Sequence, residues 1–186
     1  MRFLASAPRG FADLLAAELA ALGAQGVRER SLGVDFTGPL ELAYRACLKS
    51  RLASRVFLEI AQLRAESADD FYATLRGLPW GEHVDPDGTL ACDFSGRHPA
   101  IVHTRFGAQR MKDAICDALR GQFGRRPDVA LERPSVRVHA HASGAVVTVS
   151  IDLSGEGLHR RGYRAQAGEA PLRENVAAGM LVRAGW

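Results

Sequence analysis

The sequence is short of most features that mark a specialised class. Three cysteines in 186 residues (Cys47, Cys92 and Cys116) form an odd, scattered set. That excludes a disulfide scaffold and fits buried thiols in a reducing cytoplasm. No apolar run approaches the roughly 18 residues that span a bilayer. The start, Met-Arg-Phe-Leu-Ala-Ser-Ala-Pro, turns polar too soon for a secretory signal. Lysine is almost missing: Lys49 and Lys112 stand among 24 basic residues, and the other 22 are arginine. The standard catalytic patterns are also absent, with no GxGxxG, Walker A, GxSxG, HExxH or CxxC.

What is present is ordinary globular material. Hydrophobic residues make up 47%, charged residues 24% and aromatics 7%, enough for a core that needs no staple. The net charge of +3 conceals a gradient along the chain. Residues 1–96 carry ten basic and thirteen acidic residues, and residues 97–186 carry fourteen and eight. The second half therefore suggests a surface for a polyanion, with a plain solvated face as the alternative.

Periodicity predicts an α+β chain. Arg2–Ala7 reads as a strand, and Phe11, Leu14, Leu15, Leu19 and Leu22 as a helix stopped at Gly23. Val27–Ser31 and Val34–Phe36 read as a hairpin across Leu32-Gly33. Pro39 opens a second helix, and Ser54–Leu63 alternates as a strand. The order β-α-β-β-α-β is the ferredoxin-like split βαβ. Beyond Arg64, helices are expected over Ala68–Leu75, Arg105–Phe123 and Pro171–Gly185. Strands are expected over Thr89–Phe94, Ser135–Ala142 and Ala145–Asp152, with an extended basic segment over Leu158–Arg164.

The candidate chemistry is basic rather than catalytic. Arg97 and Arg105 flank the start of the long helix, whose free N–H groups suit phosphate. Arg110 and Arg120 lie on its polar face with Asp113 and Asp117 at three-residue spacing, which also fits simple ion pairing. Arg125 and Arg126 sit in the loop Gly124–Pro134. His139 and His141 share a strand face without a third ligand nearby, so no metal is expected. The sharpest stretch is Asp152-Leu-Ser-Gly-Glu-Gly-Leu-His-Arg-Arg-Gly-Tyr-Arg164, where Arg160, Arg161 and Arg164 interleave with His159 and Tyr163. Arginine forks match phosphate, and aromatic rings stack on unpaired bases. A basic edge strand is the competing reading.

That stretch, with Ala-Pro-Leu-Arg-Glu-Asn-Val-Ala-Ala at 170–178, resembles the bacterial ribosomal RNA large-subunit guanine-N2 methyltransferases. Ser-Arg-Leu-Ala-Ser-Arg (50–55), Asp-Phe-Ser-Gly (93–96) and Lys-Asp-Ala-Ile (112–115) extend the resemblance along nearly the whole chain. It implies an N-terminal ferredoxin-like domain at 1–64 and a THUMP RNA-binding domain at 65–165. Residues 166–186 would then be the linker and first helix of a truncated Rossmann-like methyltransferase domain. It implies RNA contacts at Lys112, His159, Arg161, Tyr163 and Arg164. Charge and placement add Arg97, Arg105, Arg110, Arg125, Arg126 and Arg160. The resemblance implies 23S ribosomal RNA as partner and S-adenosylmethionine in the full-length parent. No cofactor and no catalytic residue are expected in this stretch, which alone is expected to be inactive. A cytoplasmic location follows, with weak self-association through the exposed C-terminal helix as a further expectation. Two alternatives stay open: a THUMP module acting on transfer RNA, and a basic protein-interaction domain.

Overall fold

The computed structural model describes residues 1–31, 33–162 and 171–186. The chain is α+β and forms two compact units, Met1–Leu58 with Leu153–Trp186, and Glu59–Asp152.

The first unit contains β1 (Arg2–Ser6), α1 (Ala12–Ala21), β2 (Gln25–Arg30), β3 (Gly33–Thr37), α2 (Leu40–Lys49) and the start of β4 (Arg55–Arg64). The strand order is β2-β3-β1-β4, with β1 antiparallel to both β3 and β4. This is the split βαβ arrangement that the sequence predicts. Alternation directs Phe3 and Ala5 of β1 and Val34 and Phe36 of β3 into the core. The rings of Phe3 and Phe36 stack at 5.2 Å. Leu15 and Leu19 of α1, and Leu42, Ala43 and Ala46 of α2, complete it. Gly23, at φ +96, ends α1, its N–H donating to the Ala20 carbonyl. Pro39 lies one residue outside α2, in extended geometry at the N-cap.

The chain returns to this unit at Leu153. Leu158 joins the first core, and its N–H donates to the Ser54 carbonyl. The last helix, α5 (Glu174–Arg183), packs Gly179 against Phe11, where a Cβ would stand 2.8 Å from the ring. Arg183 donates to Asp13 at 2.7 Å and to the Gly10 carbonyl at 3.1 Å. The compact units therefore do not divide at 64 and 165: residues 153–162 fold with the first unit. The extended segment expected over Leu158–Arg164 is instead turn-like through Gly162. Gly155 and Gly162 adopt φ +65 and +78, which no continuous strand accommodates. Tyr163 and Arg164 lie outside the described residues.

The second unit holds the remainder of β4, then α3 (Ala68–Arg76), a 3-10 turn (Trp80–Glu82), β5 (Thr89–Arg97) and α4 (Thr104–Phe123). It continues with β6 (Asp128–Val129), β7 (Val136–Ser143) and β8 (Val146–Asp152). Its order is β4-β8-β7-β5-β6, with β5 parallel to β6 and β7, and β7 antiparallel to β8. Phe71, Leu75, Met111, Ile115 and Leu119 of the two helices meet Leu90, Phe94, Val138, Ala140, Val147 and Val149 of the sheet. Phe71 and Phe94 pack edge-to-face at 5.7 Å. Trp80 is buried, and its indole N–H donates to the Leu75 carbonyl at 2.6 Å. Ser67 caps α3 by accepting from Asp70 N–H. Gly124, left-handed, ends α4. Among the described residues, no helix is long and apolar enough to cross a membrane.

Candidate nucleic-acid interface

In the second unit, alternation points Asp93, Ser95 and Arg97 of β5 and Arg137, His139 and His141 of β7 away from the helix-covered core. Arg137 pairs with Asp93 at 2.8 Å. His139 Nε2 and His141 Nδ1 both meet the Ser95 hydroxyl, at 3.0 and 2.9 Å. The histidine pair noted in the sequence thus converges on a serine. Among the described residues, no group of three or more histidine, cysteine or carboxylate ligands could hold a metal. His98, next to Arg97, is structural. Its Nε2–H donates to the Ala65 carbonyl at 2.9 Å, and its Nδ1 accepts from Ala100 N–H.

The start of α4 is bare. His103 is its N-cap without a side-chain hydrogen bond, and no acidic residue occupies the first turn. Arg97 and Arg105 are exposed and make no ion pair among the described residues. Val102 and Phe106 beside them are 80% and 44% exposed. Phe106 lies on the side of α4 opposite the buried stripe of Met111, Ile115 and Leu119, so a search for core spacing passes over it.

Further along α4 the cations are engaged. Lys112 pairs with Asp113 at 2.5 Å. Arg110 pairs with Asp69 of α3, not with Asp113, and lies 4.6 Å over the Tyr72 ring. The Tyr72 hydroxyl donates to Asp117 at 2.7 Å, and this bond, with burial, pushes the phenol's pKa upward. Arg120 pairs with Asp117 at 3.0 Å, as its spacing predicts. Arg125 grips both oxygens of Asp87 at 2.7 and 2.5 Å, while Arg126 is exposed without an ion pair among the described residues. Burial pushes the Cys92 thiol pKa far up, so it is inert rather than nucleophilic.

In the first unit, the turn after β8 carries the other candidates. Arg161 is committed to the backbone. One guanidinium nitrogen donates to the Leu48 carbonyl at 3.1 Å and another to the Ser50 carbonyl at 2.7 Å, closing the end of α2. The His159 ring lies against Gly157, where a Cβ would come within 2.7 Å of it. Burial, then the nearby Arg173 charge, lowers the pKa of His159 and favours the neutral imidazole. Arg160 is exposed and makes no ion pair among the described residues. His159 and Arg161 border an open cleft of about 260 Å³, lined also by Lys49, Arg51, Glu174 and Asn175.

The units redistribute the charge. Summed over residues, the first unit carries thirteen basic and eight acidic side chains, a net +5, and the second eleven and thirteen, a net −2. The basic excess expected on the second module therefore lies on the first, because 153–186 folds back to it. The second unit offers individual arginines rather than a positive field. The structure brings His159, Arg160 and Arg161 together in the first unit and Arg97, Arg105, Arg110, Lys112, Arg125 and Arg126 within the second.

Comparison with known proteins agrees with this division. Residues 2–57 match the family model of the RlmL ferredoxin-like domain, and residues 65–152 match that of the THUMP domain. The ribosomal RNA large subunit methyltransferase K/L of Syntrophotalea carbinolica is 52% identical over 186 residues, covering 100% of this chain and 26% of that protein. Its counterpart in Methylococcus capsulatus is 50% identical over 184 residues, covering 99% and 25%. The chain thus spans about a quarter of the length of these relatives. A solved structure from Listeria monocytogenes, described as a predicted N6-adenine-specific DNA methylase, superposes with a TM-score of 0.88 at 26% identity. That match covers 100% of this chain and 48% of the other.

Proposed function

Since the chain belongs to the ribosomal RNA large-subunit methyltransferase family, as its ferredoxin-like plus THUMP region, we propose that it holds ribosomal RNA for a methyl transfer performed elsewhere in a longer protein. In this reading the substrate is 23S RNA. A catalytic domain entered through 166–186 takes the methyl group from S-adenosylmethionine to a guanine N2. That nitrogen faces the minor groove, so the target must be open or unstacked, and a separate module that grips flanking RNA serves that need.

The observation that carries the reading is that Arg97, Arg105, Arg126 and Arg160, all positions the sequence singled out, are exposed and without ion pairs among the described residues. Their guanidiniums are open to a phosphate, whereas Arg110, Lys112, Arg120 and Arg125 are held by carboxylates. The test is fluorescence anisotropy of the chain on 23S fragments and on transfer RNA across a salt series. Each phosphate contact contributes about 0.7–0.9 to the slope of log affinity against log salt. Replacing Arg97, Arg105 and Arg126 together by alanine is expected to flatten that slope by about 2–3. No RNA binding at low salt would remove the reading, and tighter binding to transfer RNA would redirect it.

A further inference from the structure

We infer that the Phe106 ring is a stacking platform for one unpaired RNA base, with Arg97 and Arg105 holding phosphates beside it. This rests on the RNA-holding role proposed above and deepens it, because it names an unpaired strand as what the second unit grips. Val102, His103, Thr104, Arg105 and Phe106 are exposed in succession. The Phe106 ring makes no aromatic or cation contact among the described residues. A tight turn, closed by Ile101 N–H donating to the His98 carbonyl at 3.3 Å, keeps the Arg97 end of β5 close to the start of α4. The residues chosen at this helix start do not serve the helix. His103 stands at the N-cap in place of a side chain whose oxygen would accept from the first turn. Phe106 stands three residues on, where Glu or Gln would close a capping box. Val102 precedes the cap, and its stapling partner would be residue 107, which is glycine. Arg105 puts a cation at the positive end of the helix dipole, with no acidic residue in the first turn to offset it. Choices that oppose local stability without a packing gain are those expected of a functional surface.

The patch fits a base and is too small for a protein partner. At 44% exposure, Phe106 leaves on the order of 100 Å² to be covered, whereas a specific protein interface buries about 800 Å² on each side. The other large exposed apolar side chains of this unit, Phe123, Val129 and Leu131, lie away from it. Phe123 ends α4, about 25 Å along the helix from Phe106 at 1.5 Å per residue. Val129, with Leu131 two residues on, pairs with Leu90, at the opposite end of β5 from Arg97. The exposed neighbours of the ring on α4 are instead polar or basic, Arg105 beside it and Gln109 one turn on. A lone aromatic face flanked by guanidiniums free of carboxylates complements a base and its phosphates, since every base has a π-face and every link a charge. A duplex keeps its bases stacked inside, so only an unpaired strand can use the ring. The helix end alone would suit any anion; the ring selects a base.

A short single-stranded RNA and its perfect duplex, each followed by fluorescence anisotropy across a salt series, test the ring. Losing one base–aromatic stack weakens binding about 5- to 150-fold. Phe106→Ala and Phe106→Leu are expected to weaken single-strand binding by that factor and to leave the salt slope unchanged, because no charge is removed. Phe106→Tyr keeps the stack and should bind like wild type. Binding to the duplex should be the same for all four proteins. Arg97→Ala with Arg105→Ala should instead flatten the slope by about 1.5. Phe106→Leu keeps an apolar side chain of similar reach, so it decides the matter should alanine disturb the helix. A leucine variant that binds the single strand as tightly as wild type, or that loses duplex affinity equally, would overturn the platform. Self-association of the wild type in sedimentation, abolished by Phe106→Ala with RNA affinity intact, would assign the ring to a second copy and overturn it too. RNA affinity retained in every Phe106 variant removes only the platform, whereas no RNA binding by the wild-type chain removes the RNA-holding role itself.

Discussion

Arg161 sits in the segment most suggestive of RNA contact, yet its fork closes the carbonyl end of α2. Replacing it with alanine leaves the Leu48 and Ser50 carbonyls to water. Charge-assisted hydrogen bonds contribute about 1.5–3 kcal/mol each when shielded. Arg161 is exposed, so solvent screening discounts the pair to about 1–2 kcal/mol in total. For a chain of this size each kcal/mol moves the melting temperature by about 2–4 °C. Arg161→Ala is therefore expected to melt about 2–8 °C lower by circular dichroism, with faster amide exchange across 48–53. The salt slope of RNA binding should stay unchanged. Arg161→Lys should recover only part of the loss, since an ammonium does not span two carbonyls as a fork does. An unchanged melting temperature together with a slope reduced by nearly one unit would refute the argument and return Arg161 to phosphate.

Three other outcomes are expected. Burial outweighed by the hydrogen bond and charge of Arg183 holds the Asp13 carboxyl below its ordinary 3.8. That stabilisation is complete above pH 3.8 and is lost as pH falls through the lower folded value. Arg183→Leu should thus lower the urea midpoint near neutrality, and the gap from wild type should close on acidification. Ser67→Ala removes the cap of α3 and should cost about 1 kcal/mol in urea titrations. Cys92 should resist iodoacetamide in the native protein and react on unfolding, because burial keeps its thiol protonated; rapid native labelling would contradict that.

Local pattern carried most of the fold. Most elements of the first 64 residues are visible in apolar spacing, because they are half-buried and their period shows which half; β2, which buries none of its residues, is visible only through the hairpin signal beside it. Arg105–Phe123 is equally plain, its stripe of Met111, Ile115 and Leu119 being fully buried. What pattern does not encode is the partner across the fold. Arg110 has Asp113 at helical spacing, but Lys112 takes that carboxylate and Asp69 arrives from α3. The segment from Leu158 reads as extended, but residues 153–162 are turns and bends, with Gly155 and Gly162 at positive φ on either side of Leu158-His-Arg-Arg. Nothing nearby in sequence announces that Leu158 belongs to a core formed a hundred residues earlier.

The same return of the chain changes what the net charge means. Divided by sequence halves, the excess of arginine pointed to the second module; divided by compact units, it points to the first. Charges separated by more than about 8 Å are largely screened at physiological salt. A unit at −2 is therefore not barred from RNA, provided the arginines at the contact are unpaired. Arg97, Arg105 and Arg126 meet that condition among the described residues, while Arg110, Lys112 and Arg125 do not. Under the proposed RNA-holding role the two units would act on RNA in different ways. A positive field from the first would raise the encounter rate for a polyanion, and individual arginine forks on the second would fix phosphates once they arrive. In such a division, the salt slope of equilibrium binding would count the phosphates held by the second unit's arginines, while the first unit would act on the encounter rate. Paired cations along most of the long helix would then add little to that slope, and its bare first turn would carry the helix's share.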